Sequence, residues 1–198
     1  MRFLRIMREG FSVYSHNLTT FLLAMIIAVC LSVFILTIPP LIFGLYYMGY
    51  KASKMGSVSL TDLFQGFRLT VKSWIYFLVI TVIVISVPSI LHVILDYLNM
   101  SDIPAFIIVS LIFIFWSTLN FFCLVYAIPQ IVGEGKGVFP AIKDSIRLVY
   151  DKFSTTIMVF ISLTIITVLI GWIPVFGPLV VIPYQIITYS RAVIELSD

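Results

Sequence analysis

"AIKDSIRLVYDKFSTTIMVFISLTIITVLIGWIPVFGP", Ala141–Pro178, holds two kinds of helix end to end. In and just before its first thirteen residues, Val138, Ile142, Ser145, Val149 and Phe153 recur at steps of three and four. Lys143, Arg147 and Asp151 run along another face at i, i+4, i+8. That spacing predicts an amphipathic helix. From Phe153 to Trp172 the chain has no charge at all. A run of about 20 apolar residues is what a helix needs to cross the hydrocarbon core. Gly171-Trp-Ile-Pro-Val-Phe-Gly-Pro178 then breaks the helix, and Gly and Pro are the residues that make such a turn. The unit therefore reads as a surface helix, a span and a hairpin turn.

Working outward, the same texture fills the chain. Hydrophobic residues make up 61% of the 198 residues and charged ones 11%, whereas a soluble domain runs at about 45–50% and about 25%. The apolar runs are continuous, which argues for helices and against the alternating strands of a barrel. An all-α polytopic membrane bundle is expected, with six spans near 18–37, 39–54, 74–95, 103–128, 153–172 and 176–194. They pair into three hairpins, turned by Pro39-Pro40, by Asp96–Asp102 and by Gly171–Pro178. The apolar run after Arg2, Arg5 and Arg8 imitates a signal peptide. It is longer than a usual signal core and ends without a small-x-small cleavage site, so it reads as a retained first span.

All twelve Lys and Arg residues fall on the N-terminal side of this arrangement. The hairpin turns carry only Asp96 and Asp102. Positive-inside bias then places both termini in the cytoplasm. The net charge of +3 is spread over many segments, so no nucleic-acid surface is implied.

The opening unit has echoes. "DSIRLVYDKF" (Asp144–Phe153) aligns with "QGFRLTVKSW" (Gln65–Trp74), and "EGFSVYSHNL" (Glu9–Leu18) shares the Gly-Phe pair of Gly66-Phe67. A three-fold pseudo-repeat is expected in a single membrane domain, with units near 1–54, 58–128 and 137–198. Each unit begins with an amphipathic helix lying on the cytoplasmic face. Leu60, Leu63, Phe64, Phe67, Val71 and Trp74 make the second stripe, opened by Ser59-x-x-Asp62, a capping-box pattern. Phe3, Leu4, Met7, Phe11 and Tyr14 make the first. Arg5, Arg8, Arg68, Lys72, Lys143, Arg147 and Lys152 are then placed to contact anionic headgroups of the inner leaflet.

Chemistry-bearing residues are sparse. No ionisable residue sits in the middle of a span, which argues against a proton-driven pump. Gly-x-Ser-x-Gly, HExxH, Walker and CxxC patterns are missing, so no catalytic residue, cofactor or metal centre is predicted. His92 and Asp96, four apart on one helical face, could supply two metal ligands, but two do not make a site, and His92 reads as an interfacial hydrogen-bonding residue. The acids Glu9, Asp62, Glu134, Asp144 and Asp151 are dispersed and read as partners of nearby bases, Asp144 with Arg147 for one. A lipid-headgroup enzyme would need them to converge. The polar residues at membrane depth, Asn120 and Gln185 with neighbouring Tyr184, are the candidates for either interhelical hydrogen bonds or ligand contact. Pro183 with Gln185 marks where an opened backbone is expected.

"IPPLIFGLYYMGYKASKMGSVSLTDLFQGFR", "FPAIKDSIRLVYDKF" and "IPVFGPLVVIPYQIITYSRAV" together resemble a group of uncharacterised prokaryotic six-span integral membrane proteins. Their relatives include the membrane domain attached to some glycerophosphodiester phosphodiesterases. The residues that carry the resemblance are Pro39, Gly44, Asp62-Leu63-Phe64-x-Gly66-Phe67, Ala141-Ile142-x-x-Ser145 and Pro183-Tyr184. The resemblance spans residues from about 38 to the end. It implies a multi-pass protein of the prokaryotic inner membrane and no catalytic residues.

Two functions follow as expectations. The first is a non-enzymatic envelope or lipid-homeostasis factor, a scaffold or a membrane module for a protein partner, or a homo-oligomer. The alternative is a small transporter or substrate-binding membrane subunit with a polar pocket near Asn120 and Gln185.

Overall fold

The computed structural model describes residues 2–97, 102–174 and 176–197. Every regular element among them is helical. In order these are α1 (Arg2–His16), α2 (Leu18–Leu31), a 3-10 turn (Ile35–Thr37) and α3 (Ile38–Met55). A 3-10 helix (Leu60–Leu69) leads into α4 (Thr70–Tyr97), followed by α5 (Asp102–Leu124) and α6 (Ala127–Gly133). The chain ends with α7 (Val138–Asp151), α8 (Phe153–Gly171) and α9 (Phe176–Ser197). Four helical rods are long and apolar enough to cross a membrane: Leu60–Tyr97, Phe106–Gly133, Phe153–Gly171 and Gly177–Ser197. Counting the α1–α2 pair, bent by 78°, as one span gives five. The second hairpin turn expected at Asp96–Asp102 lies largely outside the described residues.

The expected first and second spans differ most from the pattern read in the sequence. α2 has 14 residues, about 21 Å of helix at 1.5 Å per residue, against about 30 Å of hydrocarbon. The rest of that run turns at Ser32–Phe34 and tightens into the 3-10 turn. α3 has the length but not the composition of a lipid-facing span, because protein surrounds it. Ten of its 18 residues are buried, and it packs against α9, α6, α4, α2 and the 3-10 helix. A helix enclosed by protein has no need of an unbroken apolar surface. This is why Gly44, Gly49, three tyrosines and Lys51 are tolerated there. By contrast only 11%, 6% and 17% of the apolar windows of the rods containing α4, α5 and α8 are buried, so most of their surface faces the surroundings.

The tightest contact in the bundle is the crossing of α3 and the 3-10 helix. A Cβ on Gly44 would lie 1.9 Å from the Leu63 carbonyl oxygen, and one on Gly66 would lie 2.0 Å from that of Pro40. Only glycine at both positions lets the two backbones touch. The 3-10 helix is held at its start by the Ser59/Asp62 capping box, with the Ser59 N–H donating to Asp62 Oδ2 over 2.9 Å.

The amphipathic helices divide their apolar residues between two faces. α7 buries Val138, Ala141, Ser145 and Val149 against the bundle. Phe139, Ile146 and Tyr150 stay outward, Phe139 66% and Tyr150 83% exposed, as does Phe153 at the start of α8. α1 likewise buries Ile6, Gly10 and Tyr14 and leaves Leu4 and Phe11 outward. α9 runs unbroken through Pro183. The opened backbone lies instead between α5 and α6, where Leu124 ends one helix and Ala127 starts the next. Pro129, in the first turn of α6, needs no intrahelical donor there.

Candidate functional site

Charged residues collect at one end of the bundle, and their partners show how. Arg191 of α9 pairs with Glu9 of α1 and lies 3.8 Å from Glu195, and it donates to the Ser53 carbonyl of α3 over 3.0 Å. Arg5 pairs with Glu195. Lys51 of α3 reaches both oxygens of Asp62 at 2.8 and 2.9 Å. Lys136 lies between Glu134 and Asp144 at 2.8 and 2.7 Å. Lys72 at the start of α4 donates to the carbonyls of Gly135 and Lys136. The acids considered for headgroup chemistry are thus all committed to ion pairs, with Glu134 and Asp144 sharing Lys136. Asp144 takes Lys136 rather than the expected Arg147, whose neighbour is Asp151 at 3.7 Å. Burial works against charge on Asp62, but hydrogen bonds from Lys51 and from the backbone and hydroxyl of Ser59 hold its pKa below the usual carboxylate value.

Asn17, which the sequence reading passed over, and Ser145, which it read only as part of the α7 stripe and of the resemblance motif, bind segments together. Asn17 sits in the α1–α2 bend, donates to the carbonyls of Val13 and Gly56, and accepts from the Val58 N–H. Ser145 of α7 plugs the α5–α6 break. Its hydroxyl donates to the Cys123 carbonyl over 2.8 Å and accepts the Tyr126 N–H at 3.3 Å. Both backbone groups are stranded by the break and would be costly to leave bare. A Ser four residues after Ala141 on a buried helical stripe was the only signal in the sequence.

Asn120 lines a partly enclosed cavity of about 310 Å³ between α3, α4, α5 and α6. Tyr46, Tyr76, Ile80, Val84, Ser117, Phe121, Leu124, Val125 and Ile128 complete its wall. Asn120 Nδ2 donates to the Trp116 carbonyl of its own helix, and Trp116 Nε1 donates across to the Ile83 carbonyl of α4. Gln185 is not part of this wall. Its Nε2 donates to Thr167 Oγ1 over 2.6 Å and ties α9 to α8. Tyr184 packs edge-on against Phe11 and Tyr14, and its hydroxyl makes a long 3.5 Å bond to the Met7 carbonyl of α1.

Among the basic residues read as headgroup contacts, Arg8, Arg68, Lys143 and Arg147 are exposed. Lys152 is half-buried, while Arg5 and Lys72 are spent on the contacts above. His92 and Asp96 are exposed and 3.4 Å apart. Among the described residues no group of three His, Cys, Asp or Glu side chains is placed to hold a metal ion. Cys30 and Cys123 are free thiols. Comparison with known protein families, with curated proteins and with solved structures found no match for this chain.

Proposed function

We propose that the chain is a non-catalytic, multi-pass protein of a prokaryotic inner membrane, both termini cytoplasmic, that works as an envelope or lipid-homeostasis module on anionic lipid. The observation that carries this is the outward face of α7. Phe139, Ile146 and Tyr150 recur at steps of seven and four and stay exposed beside exposed Lys143 and Arg147. Bracing a bundle needs only the buried face of such a helix. An outward apolar row flanked by long cations suits the headgroup boundary, where the apolar row sinks and the cations meet phosphates. Leu4 and Phe11 with Arg8 on α1 follow the same plan.

Six crossings in three units suit this role, and the element order supports them. An amphipathic segment followed by two helical segments occurs three times, with α5 and α6 together making one of them. The resemblance to the six-span proteins related to phosphodiesterase membrane domains, carried by sequence motifs alone, is kept as part of this proposal. Gly44, Gly66 and Ser145 occupy the closest backbone crossing and the plugged helix break. The cavity at Asn120 favours a substrate-binding role as the second reading, although Gln185 lies outside it.

Native mass spectrometry from nanodiscs of mixed phosphatidylglycerol and phosphatidylcholine tests the proposal. The native protein is expected to retain phosphatidylglycerol preferentially, and a Lys143→Gln, Arg147→Gln double variant to lose most of that preference. Equal retention of the two lipids by the native protein, or an unchanged preference in the variant, overturns the lipid role.

A further inference from the structure

We infer that the cavity between α3, α4, α5 and α6 binds a neutral amphiphile from the bilayer: a single apolar chain ending in a hydroxyl. Three observations lead there. First, no ionisable acid, lysine, arginine or histidine lines the wall. A charged ligand would therefore be desolvated without a counter-ion, which costs several kcal/mol. Second, the greater part of the wall surface is apolar, with Ile80, Val84, Phe121 and Leu124 among its residues. A small polar solute would leave its own hydrogen bonds unmade against such a surface. Third, the polar groups that are present have capacity to spare. Ser117 Oγ is buried without a hydrogen-bond partner. Asn120, one turn on and on the same face, spends its Nδ2 on Trp116, and no donor among the described residues reaches its Oδ1. A buried hydroxyl left unpaired costs about 1–3 kcal/mol, so a ligand hydroxyl meeting Ser117 and Asn120 recovers that cost.

The size agrees. A volume of about 310 Å³ holds about ten groups of water size, at about 30 Å³ each. That accepts a medium-length chain or the end of a longer one, and it falls at the small end of the range for ligand pockets. Seven of the ten wall residues belong to α4 and α5, whose apolar surfaces are largely unburied, so the bilayer itself supplies the amphiphile.

The inference rests on the reading of the chain as a lipid-contacting membrane protein, but it uses the interior of the bundle rather than the cationic outer faces. The full chain in nanodiscs is photolabelled with a diazirine-bearing long-chain alcohol, and with the fatty acid and alkylammonium of equal length. Labelled peptides are mapped by mass spectrometry. The alcohol is expected to label Tyr76–Val84 and Ser117–Val125, to be competed by unlabelled alcohol, and to outdo both charged probes there about tenfold. Ser117→Leu, which fills the cavity, and Asn120→Leu, which removes the head partner, are expected to cut that labelling at least fivefold with melting temperatures preserved. If either variant misfolds, competition in the native protein decides alone. Labelling confined to outward residues such as Ile90 and Val93, labelling that unlabelled alcohol does not compete, or equal labelling by a charged probe overturns the inference. Such a result with phosphatidylglycerol preference intact would leave the proposed function standing.

Discussion

Replacing Gly66 with alanine puts a methyl group 2.0 Å from the Pro40 carbonyl oxygen and 2.4 Å from the Gly44 nitrogen. Carbon and oxygen in a C–H···O contact sit at about 3.3–3.6 Å. The helices must therefore part by about 1.3 Å along that line. Both walls are backbone, so no side chain can rotate away. A radial gap of about 0.5–1 Å already forfeits a quarter to a half of each dispersion contact, and α3 is the helix on which much of the bundle rests. Overpacking costs about 1–3 kcal/mol where neighbours can adjust; here the expected cost is about 3–4 kcal/mol, because neither neighbour can. For a chain of this size each kcal/mol moves the melting temperature by about 2–4 °C, so a fall of about 6–15 °C is expected. Tryptophan fluorescence of the detergent-purified protein during heating reads it out. Gly171→Ala is the control, since a Cβ there meets nothing nearer than Thr167 Cγ2 at 3.8 Å. A Gly66→Ala protein that melts within about 2 °C of that control refutes the reasoning, because a difference under 1 kcal/mol is incompatible with a backbone clash.

Ser145→Ala strips the donor from the Cys123 carbonyl and the acceptor from the Tyr126 N–H. A loss of about 2–3 kcal/mol in thermal unfolding is expected, and a loss under about 0.5 kcal/mol would mean the α5–α6 break does not depend on it. Asn17→Ala removes two bonds between the α1–α2 bend and the Gly56–Val58 segment and a third to the Val13 carbonyl of α1. Amide exchange in α1 should quicken at least tenfold while α8 is unchanged. Asp62→Asn breaks the Lys51 pair and should cost about 1–3 kcal/mol at neutral pH. The Asp62 pKa is depressed, so its contribution is complete above the unfolded value of about 3.9 and fades as pH falls through the folded value. The gap in melting temperature between Asp62→Asn and the native protein should therefore shrink below about pH 4, and a gap independent of pH would refute the linkage.

Much of the architecture was legible in the one-dimensional pattern because burial in lipid is a composition rule. Uncharged runs of about twenty residues such as Phe153–Gly171 need no tertiary information to be recognised as spans, and α8 begins and ends within a residue of the run. The stripe on α7 and the capping box at Ser59 and Asp62 are equally local, since periodicity and end-satisfaction act within one helix. α2 and α3 were less legible. Their length and surroundings depend on which neighbours enclose them, and a helix wrapped by protein carries no hydropathy signature of its own.

The polar residues divide in the same way. That Asn120 and Gln185 lie at membrane depth follows from sequence position. That one lines a cavity and the other ties α9 to α8 depends on helix rotation and crossing, which residue order does not encode locally. The sequence by itself determined a chain of helices, several of them long and apolar enough to cross a membrane, because hydrocarbon admits only self-satisfied, uncharged backbone. Only the tertiary structure decided which acid meets which base, where glycine lets two backbones touch and where a cavity remains, because these are distances between residues far apart in the chain.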